Sequence, residues 1–251
     1  MMKVVRMVYV AVAALLCCSC SAGVREYRVR VVREYPHDAG AYTQGLFFDG
    51  SVLCESTGMY GKSSYRNVDL ESGRVLRKVD FSPKYFGEGS CVFQGKLYML
   101  TWTNKVAFTY NPKTLEFIQG YSYPREGWGL TTDGRRLIAS DGSSRLYFLD
   151  AGLQMTGSVN VTMNGRPVRF LNELEWIDGK IWANVYTTDM IVIIDPDDGK
   201  VEATIDCTGL LPASARAADT DVLNGIAYDA KSGKIYLTGK YWPKLYEIEL
   251  Y

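Results

Sequence analysis

Glu88 lies in the string Tyr85-Phe86-Gly87-Glu88-Gly89, an acidic side chain between two glycines and two residues after an aromatic ring. An apolar wall disfavours the charged form of a carboxylate, so a group so placed can take and return a proton near neutral pH. Residues that could join it begin or end comparable apolar runs elsewhere. Tyr42, Gln44, Phe86, Trp128, Asn172, Glu173, Glu175 and Asn224 stand near the starts of such runs, and Trp102, Tyr186 and Lys240 end the runs that follow. Two readings are open at this level. Either these side chains surround one pocket, or Gly-Glu-Gly is a turn and the rings pack between neighbouring elements.

Other chemistries are constrained by what the chain lacks. His37 is the only histidine of the chain, so no serine-histidine-aspartate triad can recur and no multi-histidine zinc site can form. In the Pro36-His37-Asp38 stretch it reads as a loop residue. Asn172, Glu173 and Asn224 could instead offer oxygens to calcium. That would suit a lactone or ester hydrolase and is the alternative enzyme reading; a surface protein that binds a peptide or glycan without catalysis is the non-enzyme one. Asp195-Pro196-Asp197-Asp198-Gly199 is rich in carboxylates, but Asp-Gly first of all forms turns, and a turn is expected there. Lys plus Arg and Asp plus Glu balance at 28 each, which leaves no broad basic field for nucleic acid.

The elements that must position these residues are strands. From Tyr27 onward, short runs rich in β-branched and aromatic residues alternate with Gly, Asn and Asp turns, and no long capped amphipathic helix is present. The runs repeat. Units beginning near Gly45, Gly87, Gly127, Asn172 and Asn224 are spaced 40 to 52 residues apart, the period of four-stranded propeller blades. Each has a strand opened by Gly or Asn, a hairpin, a second strand, a third ending in Asp or Tyr-Asn, and a turn to a fourth. The last unit stops after its third strand, at Tyr246 to Tyr251, and Tyr27 to Tyr35 can supply the missing outer one. The expected fold is therefore all-β, a five-bladed β-propeller closed by an N-terminal strand and filling residues 21–251 as one domain. In such a ring the innermost strands line a central channel, and equivalent positions of successive repeats meet at one mouth.

Residues 1–20 differ from the rest. Lys3 and Arg6 precede the apolar run Met7 to Leu16, which reads as an export signal too short to span a bilayer. Its end, Leu15-Leu16-Cys17-Cys18-Ser19-Cys20, resembles a bacterial lipobox, with Cys18 or Cys20 as the lipidated residue. The protein is thus expected to be exported and held on a membrane by acyl chains alone, as a monomer. Cys54, Cys91 and Cys207 remain, an odd number without metal-site spacing. They read as buried, inert thiols, although one disulfide with a leftover thiol is also compatible with export.

Several strings together carry a family likeness: YTQGL at 42–46, YFGEG at 85–89, LTW at 100–102, GWGLTTDG at 127–134, LNELEWIDGKIWANVYTTD at 171–189, LNGIAYD at 223–229 and TGKYWPKLYEI at 238–248. In order and over nearly the whole mature chain, they resemble the plant and bacterial type of glutaminyl-peptide cyclotransferase. The resemblance implies a five-bladed propeller without a catalytic metal or other cofactor, acting on peptides or proteins with N-terminal glutamine to give pyroglutamate and ammonia. It also implies that Glu88 is the central acid/base and that Gln44, Phe86, Trp102, Trp128, Asn172 and Lys240 surround the substrate. Tyr42 stands where the family commonly has Phe, and Tyr186 where it commonly has Trp. Both keep a ring and add a hydroxyl.

Overall fold

The computed structural model describes residues 23–251, which are almost entirely strands and turns. The export signal and lipobox expected in residues 1–20 lie outside the described residues. Among the described residues, no helix is long and apolar enough to cross a membrane.

Among the described residues the first element is β1 (Arg25–Pro36). A first sheet then forms in simple up-and-down order from β2 (Thr43–Asp49), β3 (Val52–Thr57), β4 (Ser64–Val68) and β5 (Val75–Asp80). A second contains β6 (Gly87–Phe93), β7 (Lys96–Thr101), β8 (Val106–Tyr110) and β9 (Phe117–Ser122). A third contains β10 (Leu130–Thr132), β11 (Leu137–Ala139), β12 (Arg145–Leu149) and β13 (Met155–Asn160). A small hairpin, β14 (Thr162–Met163) and β15 (Arg166–Pro167), leads to an eight-stranded sheet. Its first half is β16 (Leu171–Ile177), β17 (Lys180–Val185), β18 (Met190–Ile194) and β19 (Val201–Asp206). Its second half is β20 (Leu223–Asp229), β21 (Lys234–Gly239) and β22 (Lys244–Leu250), with β1 between β22 and β19.

This is an all-β, propeller-like architecture. Strands β2, β6, β10, β16 and β20 neighbour one another in cyclic order, β20 returning to β2. Burial follows from that position. The inner strands β2, β6 and β16 are buried along most of their length, whereas the outer strands β5 and β9 face solvent. Apolar side chains fill the spaces between successive sheets: Phe47, Tyr65, Leu97 and Met99 between the first and second, and Tyr35, Leu46, Tyr236 and Leu245 where the last meets the first. Each large side chain so buried contributes roughly 1.5–3 kcal/mol.

The N-terminal strand closes the ring in two directions. Val29 to Pro36 pair antiparallel with β22, supplying its outer neighbour, and Arg25 to Arg28 run parallel to β19. One strand thereby bonds both flanking units and leaves neither with a free edge at the seam. A buried ionic cluster reinforces that seam. His37 Nε2 lies 2.9 Å from Glu55 Oε1, and its Nδ1 lies 2.6 Å from the Trp242 carbonyl. Arg66 reaches both Glu55 and Asp38. His37 does sit in the loop after β1, as read from the sequence, but its side chain is buried and ties that loop to the first and last sheets. Burial opposes the His37 charge, yet Glu55 and the Trp242 carbonyl outweigh it and raise its proton affinity.

A second tie crosses the axis. Glu173 Oε1 accepts from the Leu46 N–H at 3.1 Å and its Oε2 from the Ile226 N–H at 2.9 Å, while Glu175 Oε1 accepts from the Tyr228 N–H at 3.0 Å. The inner strands have no further strand to bond, so their inward N–H groups need other acceptors. Two carboxylates spaced by two on β16 supply them. Both are buried, which pushes Glu173 well above the usual carboxylate range and Glu175 up to about 8. The calcium reading required Glu173 as a ligand, but both of its oxygens are turned to backbone N–H groups.

Asp195 to Gly199 form the turn between β18 and β19 that the sequence indicates, closed by the Gly199 N–H donating to the Asp195 carbonyl. Cys54, Cys91 and Cys207 are unpaired and buried. Burial raises all three thiols, Cys54 to about 11 and Cys207 to about 12.

Candidate active site

Tyr42, Gln44, Phe86, Glu88, Trp102, Trp128, Asn172, Tyr186 and Lys240 line a single cavity of about 170 Å³ at one mouth of the axis. Every residue singled out as a site candidate by the family likeness is in its wall. Glu173, Glu175 and Asn224 are not; the first two are spent on the axial tie, and Asn224 donates to the Thr43 carbonyl at 2.9 Å and to Gln44 Oε1 at 3.3 Å.

The strands explain the convergence. Gln44, Glu88 and Asn172 each lie on an inner strand, near its start, where a register shift breaks the regular pairing with the second strand: between Thr43 and Gly45, between Gly87 and Ser90, and between Leu171 and Leu174. Bulges of this kind re-aim side chains. Trp102 and Tyr186 follow the second strands β7 and β17, and Lys240 follows β21. Glycines leave room for the rings. A Cβ at Gly58 would come within 2.3 Å of Phe86, and one at Gly142 within 2.6 Å of Trp128. Gly142 also has φ +76°, a conformation that side chains resist.

Glu88 is 4% exposed. Burial drives its proton affinity well above that of an ordinary carboxylate; the Lys240 charge opposes that rise and the Glu126 charge adds to it. Lys240 is equally buried, and burial lowers it to about 8 despite the favourable charges of Glu88 and Asp221. Its Nζ donates to Gln44 Oε1 at 2.7 Å and lies 4.4 Å from the Tyr42 ring centre and 5.0 Å from that of Tyr186. The cation is therefore fixed by one amide and two ring faces, with further N–H groups to spare. Both departures from the common family pattern, Tyr42 and Tyr186, are the rings beside this cation. Burial, then the charge of Asp221, holds the Tyr42 hydroxyl protonated.

Asn172 Oδ1 is buried without a hydrogen-bond partner. The rings form two groups: Phe86 meets Trp102 edge-on at 5.5 Å, Tyr42 at 6.0 Å and Tyr60 at 5.4 Å, and Trp128 meets Tyr186 at 5.6 Å.

Sequence reasoning missed four residues here. Tyr60 and Tyr241 extend the wall outward, Asp221 acts electrostatically on Lys240, and Glu126 accepts from two indoles. The available signal for Glu126 was its place two residues before Trp128, in the loop leading to the third inner strand. The arrangement offers one buried proton carrier, one fixed cation and apolar walls. That set suits a reaction in which a small polar group is held folded while a proton moves within it.

Comparison with known proteins agrees. Residues 4–250 match the family model described as glutamine cyclotransferase. A curated protein of Arabidopsis thaliana, named glutaminyl-peptide cyclotransferase, is 45% identical over 231 residues, which cover 88% of this chain and 71% of that one. The crystal structure of Myxococcus xanthus glutaminyl cyclase matches with a TM-score of 0.85 at 35% identity, over 90% of this chain and 98% of the other.

Proposed function

Because the chain belongs to the glutamine cyclotransferase family and acts as a glutaminyl-peptide cyclotransferase, we propose that it does so without a metal, with Glu88 as the single acid/base. The observation that carries this reading is a buried carboxyl of raised proton affinity inside a ring-lined cavity, beside a fixed lysine.

The α-amine of an N-terminal glutamine attacks its own side-chain amide carbon, a C–N bond forms, and the original amide nitrogen leaves as ammonia. Ring closure is intramolecular, so holding one folded conformer supplies much of the acceleration. Trp102, Trp128 and Phe86 hold the aliphatic part of the glutamine. Glu88, as the carboxylate, takes a proton from the attacking nitrogen and returns it to the leaving one, so no net proton is consumed.

The developing oxyanion needs a donor, and the geometry favours Lys240. Lys240 holds spare N–H groups and a charge in a desolvated site, where such stabilisation is strongest. We also propose that the sheets form five blades, the eight-stranded sheet being two blades joined through β1; the cyclic order of the inner strands supports this count.

Incubating purified protein with Gln-Ala in the presence of a chelator should release ammonia and pyroglutamyl-alanine in equal amounts. Activity abolished by the chelator and restored by calcium would instead favour the hydrolase type of site. Binding of the dipeptide without turnover would favour the non-catalytic reading.

A further inference from the structure

The cyclisation reading leaves one charged residue at the cavity mouth without a task. Glu126 lies in the loop between β9 and β10, and its Oε2 accepts from Trp102 Nε1 at 2.9 Å and from Trp128 Nε1 at 3.1 Å. These indoles belong to different sheets, Trp102 following β7 of the second and Trp128 preceding β10 of the third. One oxygen thus joins the two indoles, which stand on separate sheets.

The loop holding Glu126 is itself fixed on both sides. The Gly127 N–H donates to the Thr101 carbonyl at 3.0 Å and to that of Trp102 at 3.3 Å, and the Arg125 guanidinium lies 4.2 Å over the Tyr147 ring and 5.4 Å over that of Tyr123. A Cβ at Gly127 would come within 2.5 Å of Leu100, so the loop packs directly on the second sheet. Trp102 needs such an anchor because it is 37% exposed and packs edge-on against Phe86 on one side only.

We propose that Glu126 is a positioning residue for the cyclisation: by accepting from both indole N–H groups it sets the separation of the Trp102 and Trp128 walls between which the glutamine side chain folds. This rests on the proposed cyclisation at Glu88. The clamp carries a second consequence, because the charge of Glu126 acts on Glu88 in opposition to that of Lys240. The charges facing Glu88 are therefore Lys240 from the loop after β21 and Glu126 from the loop before β10, with Asp221 acting on it through Lys240. Removing the Glu126 charge while keeping its acceptor oxygen makes Glu88 release its proton at lower pH.

Two variants separate the clamp from the charge. Glu126→Ala loses both, and misplacing the walls by about 1 Å should lower kcat/KM for Gln-Ala by roughly 10- to 100-fold, chiefly through KM. Its tryptophan emission should change in the absence of any substrate, a readout that does not depend on the cyclisation reading. Glu126→Gln keeps an oxygen for both indoles. It should retain the wild-type emission and KM within about threefold, while the acid limb of kcat moves to lower pH. The proposal is overturned if Glu126→Ala keeps both the emission and the KM of the wild type. It is equally overturned if Glu126→Gln is as impaired as Glu126→Ala with an unmoved acid limb, since an acceptor oxygen would then rescue nothing. Should Glu126→Ala fail to fold, the Glu126→Gln emission, KM and acid limb decide alone.

Discussion

Glu88→Gln should leave the protein folded and lower the rate of Gln-Ala cyclisation by about 10²–10⁴-fold, the range ascribed to a positioned acid/base. That is roughly 3–5 kcal/mol of transition-state stabilisation. The amide matches the carboxyl in shape but can neither take the proton from the attacking amine nor return it to the leaving nitrogen. Folding should not suffer, for a reason of sign. Glu88 binds its proton more tightly in the folded protein than an ordinary carboxylate does. Ionising it therefore favours the unfolded chain as pH rises, and a neutral amide removes that cost. Relative to wild type, the variant should gain thermal stability toward alkaline pH while losing turnover at every pH. Ammonia release under saturating dipeptide and a melting curve at several pH values check both parts. Turnover retained within about tenfold would remove Glu88 from the chemistry.

Lys240→Met should lower kcat by about 10²–10³-fold, comparable to the loss of a single oxyanion donor. Methionine keeps much of the stem and its contact with the Tyr42 and Tyr186 rings, so the loss isolates the charge and its N–H groups. The pH profile distinguishes this role from a packing defect. Burial brings Lys240 down to about 8, so wild-type kcat should fall on the alkaline side near that value as the ammonium is lost. The variant should lack that limb. Lys240 also holds the Glu88 proton affinity down, and its removal should move the acid limb to higher pH, opposite to the shift expected for Glu126→Gln. A profile unchanged in shape would mean that the lysine serves only to support Gln44.

The repeat makes the ring of inner strands legible in the sequence. Setting Gln44, Glu88, Trp128 and Asn172 in phase places their strands around one axis, but the same phase also picks out Glu173, Glu175 and Asn224, and it is the family strings that single out the residues of the cavity wall. The outer position of Tyr27 to Tyr35 followed likewise, because the final repeat lacked a strand. Its parallel extension along β19 did not; pairing across two sheets leaves no mark on an alternating run.

Glu173 and Glu175 show why composition misleads at the axis. As a Glu-X-Glu string they look like oxygen ligands, but the inward N–H groups of Leu46, Ile226 and Tyr228 demand acceptors that only the closed ring reveals. His37 is a similar case. Its partner Glu55 lies on β3, with the whole of β2 between them, and their contact depends on how the loop after β1 folds over the first sheet. Glu126 stands two residues before Trp128, but its contact with Trp102 as well depends on the distance between two indoles from different repeats, which that local spacing does not encode.

A carboxyl titration of Glu88 bears most directly on the proton carrier. With glutamate labelled at the side-chain carbon, the resonance present in wild type and missing from Glu88→Gln should titrate well above the ordinary glutamate value of about 4.3, and higher still in Lys240→Met. A resonance that titrates near that ordinary value and ignores the loss of Lys240 would describe a solvated carboxylate, and the cyclisation would have to find its proton carrier elsewhere.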